Sequence, residues 1–301
     1  MKSRIFPVET EMELIMFVVT GITGQVGAAV ATHLLKEGAG IRAVVRNPAR
    51  AEIWKERGCK LVTADLTDTI ALTAAFTDAE AVFMVIPPVF DPSPDFSEVR
   101  QLLSTLKAAL AAAKPDKLVC LSTIGAQASE PNLLSQLGLV EKELATLQMP
   151  VAFLRAAWFM ENSAWDVTPS RENGVMPSFL QPLDRPVPMV AVDDIGALGA
   201  KLLREEWQGV RIVELEGPER VTPNRTAAAF ARAIGRDVKA EAVPAGSWKA
   251  LFRAQGMSNP TPRMRMLDGF NEGWIEFEDR AHVLKGETDI ETVVARLVAA
   301  G

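Results

Sequence analysis

Three glycines set three apart, Gly21, Gly24 and Gly27, follow an apolar run over residues 14–19. A helix-patterned segment comes next, with Val26, Val30 and Leu34 on one face and Gly38 placed as its C-cap. Strand, tight turn and helix in this order suit a bound phosphate. Gly21 permits the turn, Gly24 lets a phosphate approach the backbone, and Gly27 lets the helix pack closely. The N–H groups of the helix start, at the positive end of its dipole, then face the anion. Glycines also occur at such corners for packing alone, so the pattern needs support from elsewhere in the chain. A dinucleotide held here would meet the end of the second strand. An acid there holds the ribose hydroxyls of NAD, and a base accommodates the extra phosphate of NADP. Residues 41–51 contain no acid, but they contain Arg46 and Arg50, one helical turn apart. A guanidinium matches phosphate through parallel hydrogen bonds, so the pair favours NADP(H) over NAD(H). The alternative for either arginine is a solvated surface position.

The elements that must position these residues alternate. Short apolar runs at 41–45, 60–64, 81–86, 117–122 and 151–155 are separated by helix-patterned stretches. Pro48 suits a first helical turn, and Asp68 or Thr67 can cap the helix after the third strand. The continuous run at 81–86 is expected of a strand covered on both faces. Six strand–helix alternations predict an α/β fold with a doubly wound parallel Rossmann sheet. Beyond Arg155 the rhythm changes, and Trp158, Phe159, Met160 and Trp165 fall in a stretch rich in prolines. Residues 188–192 resemble a return to the sheet, and Asp193 and Asp194 read as an N-cap. Helices are expected over 223–234 and 291–300. The Met- and aromatic-rich segment 245–274 suits either core or a pocket wall. The predicted division is an N-terminal extension at 1–13, a nucleotide-binding Rossmann domain at 14–155 with 188–215, and a smaller C-terminal α+β substrate lobe at 156–187 with 216–301.

Composition excludes several classes. The 301 residues are 48% apolar, enough for a sizeable core, and the net charge of −6 argues against a nucleic-acid surface. No apolar run is long enough to span a membrane. The acidic residues that follow Met1 to Arg4 are unlike a signal peptide's apolar core. The expected setting is the cytoplasm, with a small molecule as partner, neither nucleic acid nor membrane, and room for a homodimer. Two cysteines fit a reduced compartment, Cys120 as a core thiol and Cys59 as partly exposed. His33 and His282 lie in unrelated helical contexts, and no metal-ligand spacing exists. The chain contains no tyrosine, so a mechanism that needs a phenol is excluded.

Several short segments, in order, resemble the NmrA-like proteins, atypical relatives of the short-chain dehydrogenase/reductases. They are residues 20–27, Val45-Arg46-Asn47-Pro48, Asp65-Leu66, residues 85–88, Leu121-Ser122, Leu154-Arg155, residues 159–162 and residues 192–195. The family includes NADPH-dependent reductases of quinones, dyes and iminium compounds, and regulators that bind the dinucleotide without turning it over. The resemblance implies that Gly21, Thr23, Gly24, Gln25, Val26 and Gly27 wrap the pyrophosphate. It puts Arg46 on the 2′-phosphate, Asp65 and Leu66 beside the adenine, and Ile86 and Pro87 along the nicotinamide ribose. Ser122 and Thr123 would lie near the nicotinamide, and are the candidates for a catalytic hydrogen bond. Trp158, Phe159 and Asn162, with Phe90 of the proline-rich loop after the fourth strand, would face the substrate. Asp65 reads equally as a helix cap, Ile86 as core, and Ser122 as a hydroxyl bonded to backbone.

Two departures bear on activity. The Tyr-Lys acid pair of the wider superfamily is impossible here. Some relatives place a Lys or His four residues before a helix acid; if Glu141 is that acid, the position is Leu137. The expectation is an NADPH-dependent oxidoreductase that reduces a small, flat or aromatic, electron-poor acceptor by direct hydride transfer. The alternative is a non-catalytic NADP(H)-binding redox sensor.

Overall fold

The computed structural model describes residues 16–301. The extension expected at 1–13 and the first two residues of the first apolar run lie outside the described residues. The first half alternates as β1 (Met16–Thr20), α1 (Gln25–Lys36), β2 (Gly40–Val45), α2 (Glu52–Glu56), β3 (Lys60–Thr63), α3 (Thr69–Phe76), β4 (Ala81–Met84), α4 (Ser97–Ala113), β5 (Lys117–Thr123), α5 (Ser135–Leu144) and β6 (Val151–Ala156). The second half carries β7 (Trp158–Phe159), α6 (Val167–Asn173), β8 (Val175–Ser178), β9 (Met189–Val190), α7 (Val192–Arg204), β10 (Val210–Glu216), α8 (Pro223–Ile234), β11 (Lys239–Ala242), α9 (Trp248–Ala254), α10 (Thr261–Glu272), β12 (Leu284–Lys285) and α11 (Ile290–Ala300).

Eight strands form one parallel sheet in the order β12-β10-β6-β5-β4-β1-β2-β3. The chain runs outward from β1 to β3, returns to β4 and continues the other way. This is the Rossmann-like doubly wound arrangement, with its reversal between β1 and β4. Side chains alternate along each strand. Val19, Phe83, Val119 and Leu154 join the core beneath α1 and α7, while Val18, Val82, Cys120 and Phe153 join the core beneath α3, α4 and α5. Polar residues start the helices where the sequence supplies them. Asp68 accepts the Ala71 N–H, Thr222 that of Arg225 and Asp289 that of Thr292.

Some expectations are corrected. Met189–Val190 does not rejoin the large sheet. It pairs with Trp158–Phe159 in a separate two-stranded sheet, because β10 already occupies the free edge of β6 from Val151 to Ala156. The tail instead supplies β12 to the sheet edge beside β10. Asp193 and Asp194 do not cap α7. Glu161 does so from a distance, both its carboxylate oxygens lying 3.0 Å from the Val192 N–H. Asp193 instead meets His33 Nε2 at 3.0 Å, and Asp194 accepts from the Thr288 N–H and hydroxyl. Cys59 is buried beside Trp54, not partly exposed, and burial pushes its thiol pKa up. His282 sits in a bend, not a helix, paired with Asp279.

Asp166 ends the short 3-10 turn after β7, and its carboxyl has no hydrogen-bond partner among the described residues. Burial pushes its carboxyl from 3.8 up to about 7. The folded chain therefore holds a proton that the unfolded chain releases, so stability falls as pH rises from about 4 through about 7. Asp166→Asn should remove that slope. Thermal melts should show little change near pH 4 and stabilisation above pH 7, with about 4 kcal/mol as the upper bound.

Candidate functional site

The crevice at the sheet reversal is held by one hydroxyl. Thr20, the last residue of β1, accepts the Val85 N–H at 2.9 Å and donates to the Phe83 carbonyl at 3.4 Å. This fixes the C-terminal ends of β1 and β4 beside each other. The glycine turn leaves β1 at that point. Gly21 takes φ +69°, the left-handed region that suits glycine, and its carbonyl accepts the Gly24 N–H at 2.9 Å. Gly24 is the N-cap of α1 and supplies no side chain there. A Cβ on Gly24 would meet only the Gly21 carbonyl oxygen, at 3.4 Å, whereas a Cβ on Gly27 would lie 2.3 Å from that oxygen. The glycines thus differ in role. Gly27 is required by close packing, while Gly24 leaves the first turn of α1 uncovered. Thr23, Gly24 and Gln25 are exposed, and Val26 is buried in the core.

Arg46 and Arg50 follow β2. Both are exposed and neither guanidinium makes a hydrogen bond or ion pair among the described residues. Across from them, the Asp65 carboxylate accepts the Thr67 hydroxyl at 2.6 Å and its N–H at 2.9 Å. These bonds hold Asp65 below the usual carboxylate range, with a smaller pull from Arg46. Asp65 is therefore not the helix cap, a role taken by Asp68. Leu66 packs half-buried on the α3–α5 core, Ile86 is buried in that core, and Pro87 is exposed. An uncovered helix start beside two arginines that form no ion pair among the described residues is a donor set that fits a phosphorylated dinucleotide.

The structure redefines Ser122. It does not bond to backbone. Its hydroxyl lies 2.5 Å from Glu141 Oε1 and donates to it, so its one proton is engaged within the protein. Thr123 bonds locally to the Ile124 carbonyl at 3.2 Å. Glu141 in turn grips Arg155 with both oxygens, at 2.9 and 2.7 Å. Arg155 also reaches Glu214 at 3.2 Å and Glu278 at 2.7 Å. Ser122, Arg155 and Glu214 are neighbours across β5, β6 and β10. Burial alone pulls the guanidinium pKa down, but the bonds and charge of the three glutamates outweigh it and raise the pKa. Leu137 stands half-buried one turn before Glu141, and Lys142 is exposed.

The far wall belongs to α10. Trp158 meets Phe270 edge to face, with ring centroids 5.2 Å apart, and the Leu133 N–H donates to the Pro262 carbonyl at 2.9 Å. Of the other expected substrate residues, Phe159 is half-buried, Asn162 is exposed, and Phe90 is 60% exposed. The sequence reading missed the partners of Arg155 and the role of Glu161 as a remote cap. Bonded partners in that network lie up to 123 positions apart, so no local spacing could signal it. Arg155→Met should leave Glu141, Glu214 and Glu278 facing one another with no cation. Urea unfolding is expected to show a loss of about 3–5 kcal/mol.

Comparison with known proteins agrees with this architecture. Over 259 residues the chain is 28% identical to an NAD(P)H azoreductase of Xenophilus azovorans, covering 85% of each sequence. It is 26% identical over 247 residues to quinone oxidoreductase 2 of Escherichia coli, covering 80% of this chain and 82% of that one. Its fold matches the crystal structure of an E. coli NADPH-dependent quinone oxidoreductase complexed with NADPH, at a TM-score of 0.78 and 24% identity, covering 94% of this chain and 99% of that one. The triphenylmethane reductase of Citrobacter sp. gives the same TM-score and coverage at 20% identity. A strand order reversing at a glycine turn, a matching overall fold and a family model spanning residues 15–264 converge on one assignment: the chain belongs to the NmrA-like family.

Proposed function

We propose that this protein is an NADPH-dependent reductase of electron-poor acceptors such as quinones or cationic dyes. The observation that carries the reading is the combination of the open glycine turn with Arg46 and Arg50, neither paired to an acid among the described residues. Relatives named as azo-compound and quinone reductases support the acceptor class. In this reading residues 21–27 hold the pyrophosphate through backbone N–H groups, and Arg46 and Arg50 hold the 2′-phosphate. Asp65 and Leu66 border the adenine. Ile86 and Pro87 flank the nicotinamide ribose, and Thr123 lies near the ring. NADPH, when bound, supplies a hydride; the chain's own residues position the partners and exclude water.

The polar inventory sets the acceptor. Reducing a ketone places negative charge on oxygen and calls for a donor or an acid. The chain has no tyrosine, Leu137 is apolar, and the Ser122 proton is held by Glu141. An iminium or triaryl cation is neutralised by hydride, and a quinone delocalises its charge and takes its proton from water. Such acceptors should turn over well, and unactivated ketones poorly. Initial rates with matched quinone and ketone substrates decide this, and efficient ketone reduction would reveal a proton donor outside this inventory. The absence of that acid also favours a second reading, a redox sensor. A sensor would bind NADPH and leave it unconsumed across quinones, dyes, iminium compounds and ketones.

Two variants test the cofactor assignment. Charge-assisted hydrogen bonds to the 2′-phosphate, about 1.5–3 kcal/mol, should give NADPH roughly a ten- to hundredfold advantage over NADH. Arg46→Asp should erase or reverse it in calorimetry, and equal affinities in the parent protein would sink the assignment. Gly24→Val should keep the fold, since a Cβ there meets one atom at ordinary contact distance, yet abolish NADPH binding. Normal binding by that variant would put the phosphates elsewhere.

A further inference from the structure

The segment that runs from Ser258 into α10 meets the chain after β4, β5 and β6, and a different contact ties it to each. After β6 the contact is Trp158 against Phe270, and after β5 it is the Leu133 N–H on the Pro262 carbonyl. After β4 the tie depends on one side chain. The Asp91 carboxylate accepts the Ser258 N–H at 2.8 Å and the Asn259 N–H at 2.6 Å. Asn259 returns a bond from its side-chain amide to the Pro92 carbonyl at 2.9 Å. Among the described residues these are the hydrogen bonds that join segment 85–96 to segment 245–275.

The strap 87–92 is built to be held at two points. Pro87 and Pro88 stiffen its start. The Val89 carbonyl accepts from buried Gln136 at 3.0 Å, and Asp91 is the second anchor. Between them Phe90 stands exposed. The Ser258 and Asn259 amides hold the Asp91 carboxyl below the usual carboxylate range, so it remains a charged acceptor at neutral pH. An apolar seam would seal this end of the cleft. A polar clasp exchanges its bonds with water and can open at low net cost.

We propose that Asp91 is a specificity-determining residue. Its clasp closes the acceptor end of the cleft beneath α10 and excludes acceptors too long for the closed strap. This rests on the reductase reading. The test compares a small benzoquinone with a bulky triarylmethane dye, using NADPH and the full chain, in the parent, Asp91→Ala and Asn259→Ala. Asp91→Ala should raise the dye-to-quinone ratio of kcat/KM by about tenfold or more while leaving the Kd for NADPH within about twofold. Asn259→Ala keeps the backbone donors and loses only the return bond, so it should shift the ratio the same way by less. It also decides the matter should Asp91→Ala fail to fold. An unchanged ratio, or equal losses with both acceptors, would overturn the proposal and leave Asp91 a structural brace. If the parent consumes NADPH with neither acceptor, the reductase reading fails by itself. Binding of the same two compounds with NADP+ present, read by tryptophan quenching, then gives the ratio that judges the clasp.

Discussion

The site depends on the contact between α1 and the turn that precedes it. A methyl group on Gly27 would stand 2.3 Å from the Gly21 carbonyl oxygen, well inside van der Waals contact. Only glycine lets the helix begin that close to the end of β1. The start of α1 then lies beside the sheet reversal, where Thr20 bonds β1 to the residue after β4. Were the helix to start farther away, the same sequence would still form a helix, but its positive end would no longer face the crevice. Three glycines of one motif thus differ in their surroundings, and of the three only Gly24 has room for a Cβ at ordinary contact distance without a strained backbone.

A second constraint lies on the other side of the crevice. Arg155 is 4% exposed and surrounded by three carboxylates from α5, β10 and the loop after α10. A buried ion cluster is expensive to desolvate and contributes little net stability, but it fixes geometry because each member must be satisfied. Here it joins the sheet to the segment around Glu278, whose N–H, with that of Asp279, also binds Glu214. Ser122 is drawn into the same cluster. The cost to chemistry is that a hydroxyl at the end of β5 donates its hydrogen bond to Glu141. The proposed acceptor preference rests on what the cluster engages as much as on what the chain lacks.

The sequence by itself determined the parts governed by local rules. Strand and helix alternation, the glycine turn, the Asp68 cap and the arginines after β2 are set by residues within a few positions of one another, and all are readable without coordinates. The absence of tyrosine is a fact of composition that excludes a phenol acid. Tertiary structure decided the rest, because those features depend on residues far apart in the chain. Met189–Val190 looks like a strand of the large sheet, but β10 already fills the edge of β6, and competition for an edge is invisible in a linear reading. Asp193 and Asp194 look like caps, but Glu161 reaches the helix start first. Ser122 reads as a hydroxyl bonded to backbone or placed near the nicotinamide until Glu141, 19 residues on, is folded against it. Asp91 carries no local signal, because its partners come 167 and 168 residues later. Hydrogen bonds and ion pairs of buried groups are chosen by proximity in the folded chain, and proximity is a property of the packed sheet and helices.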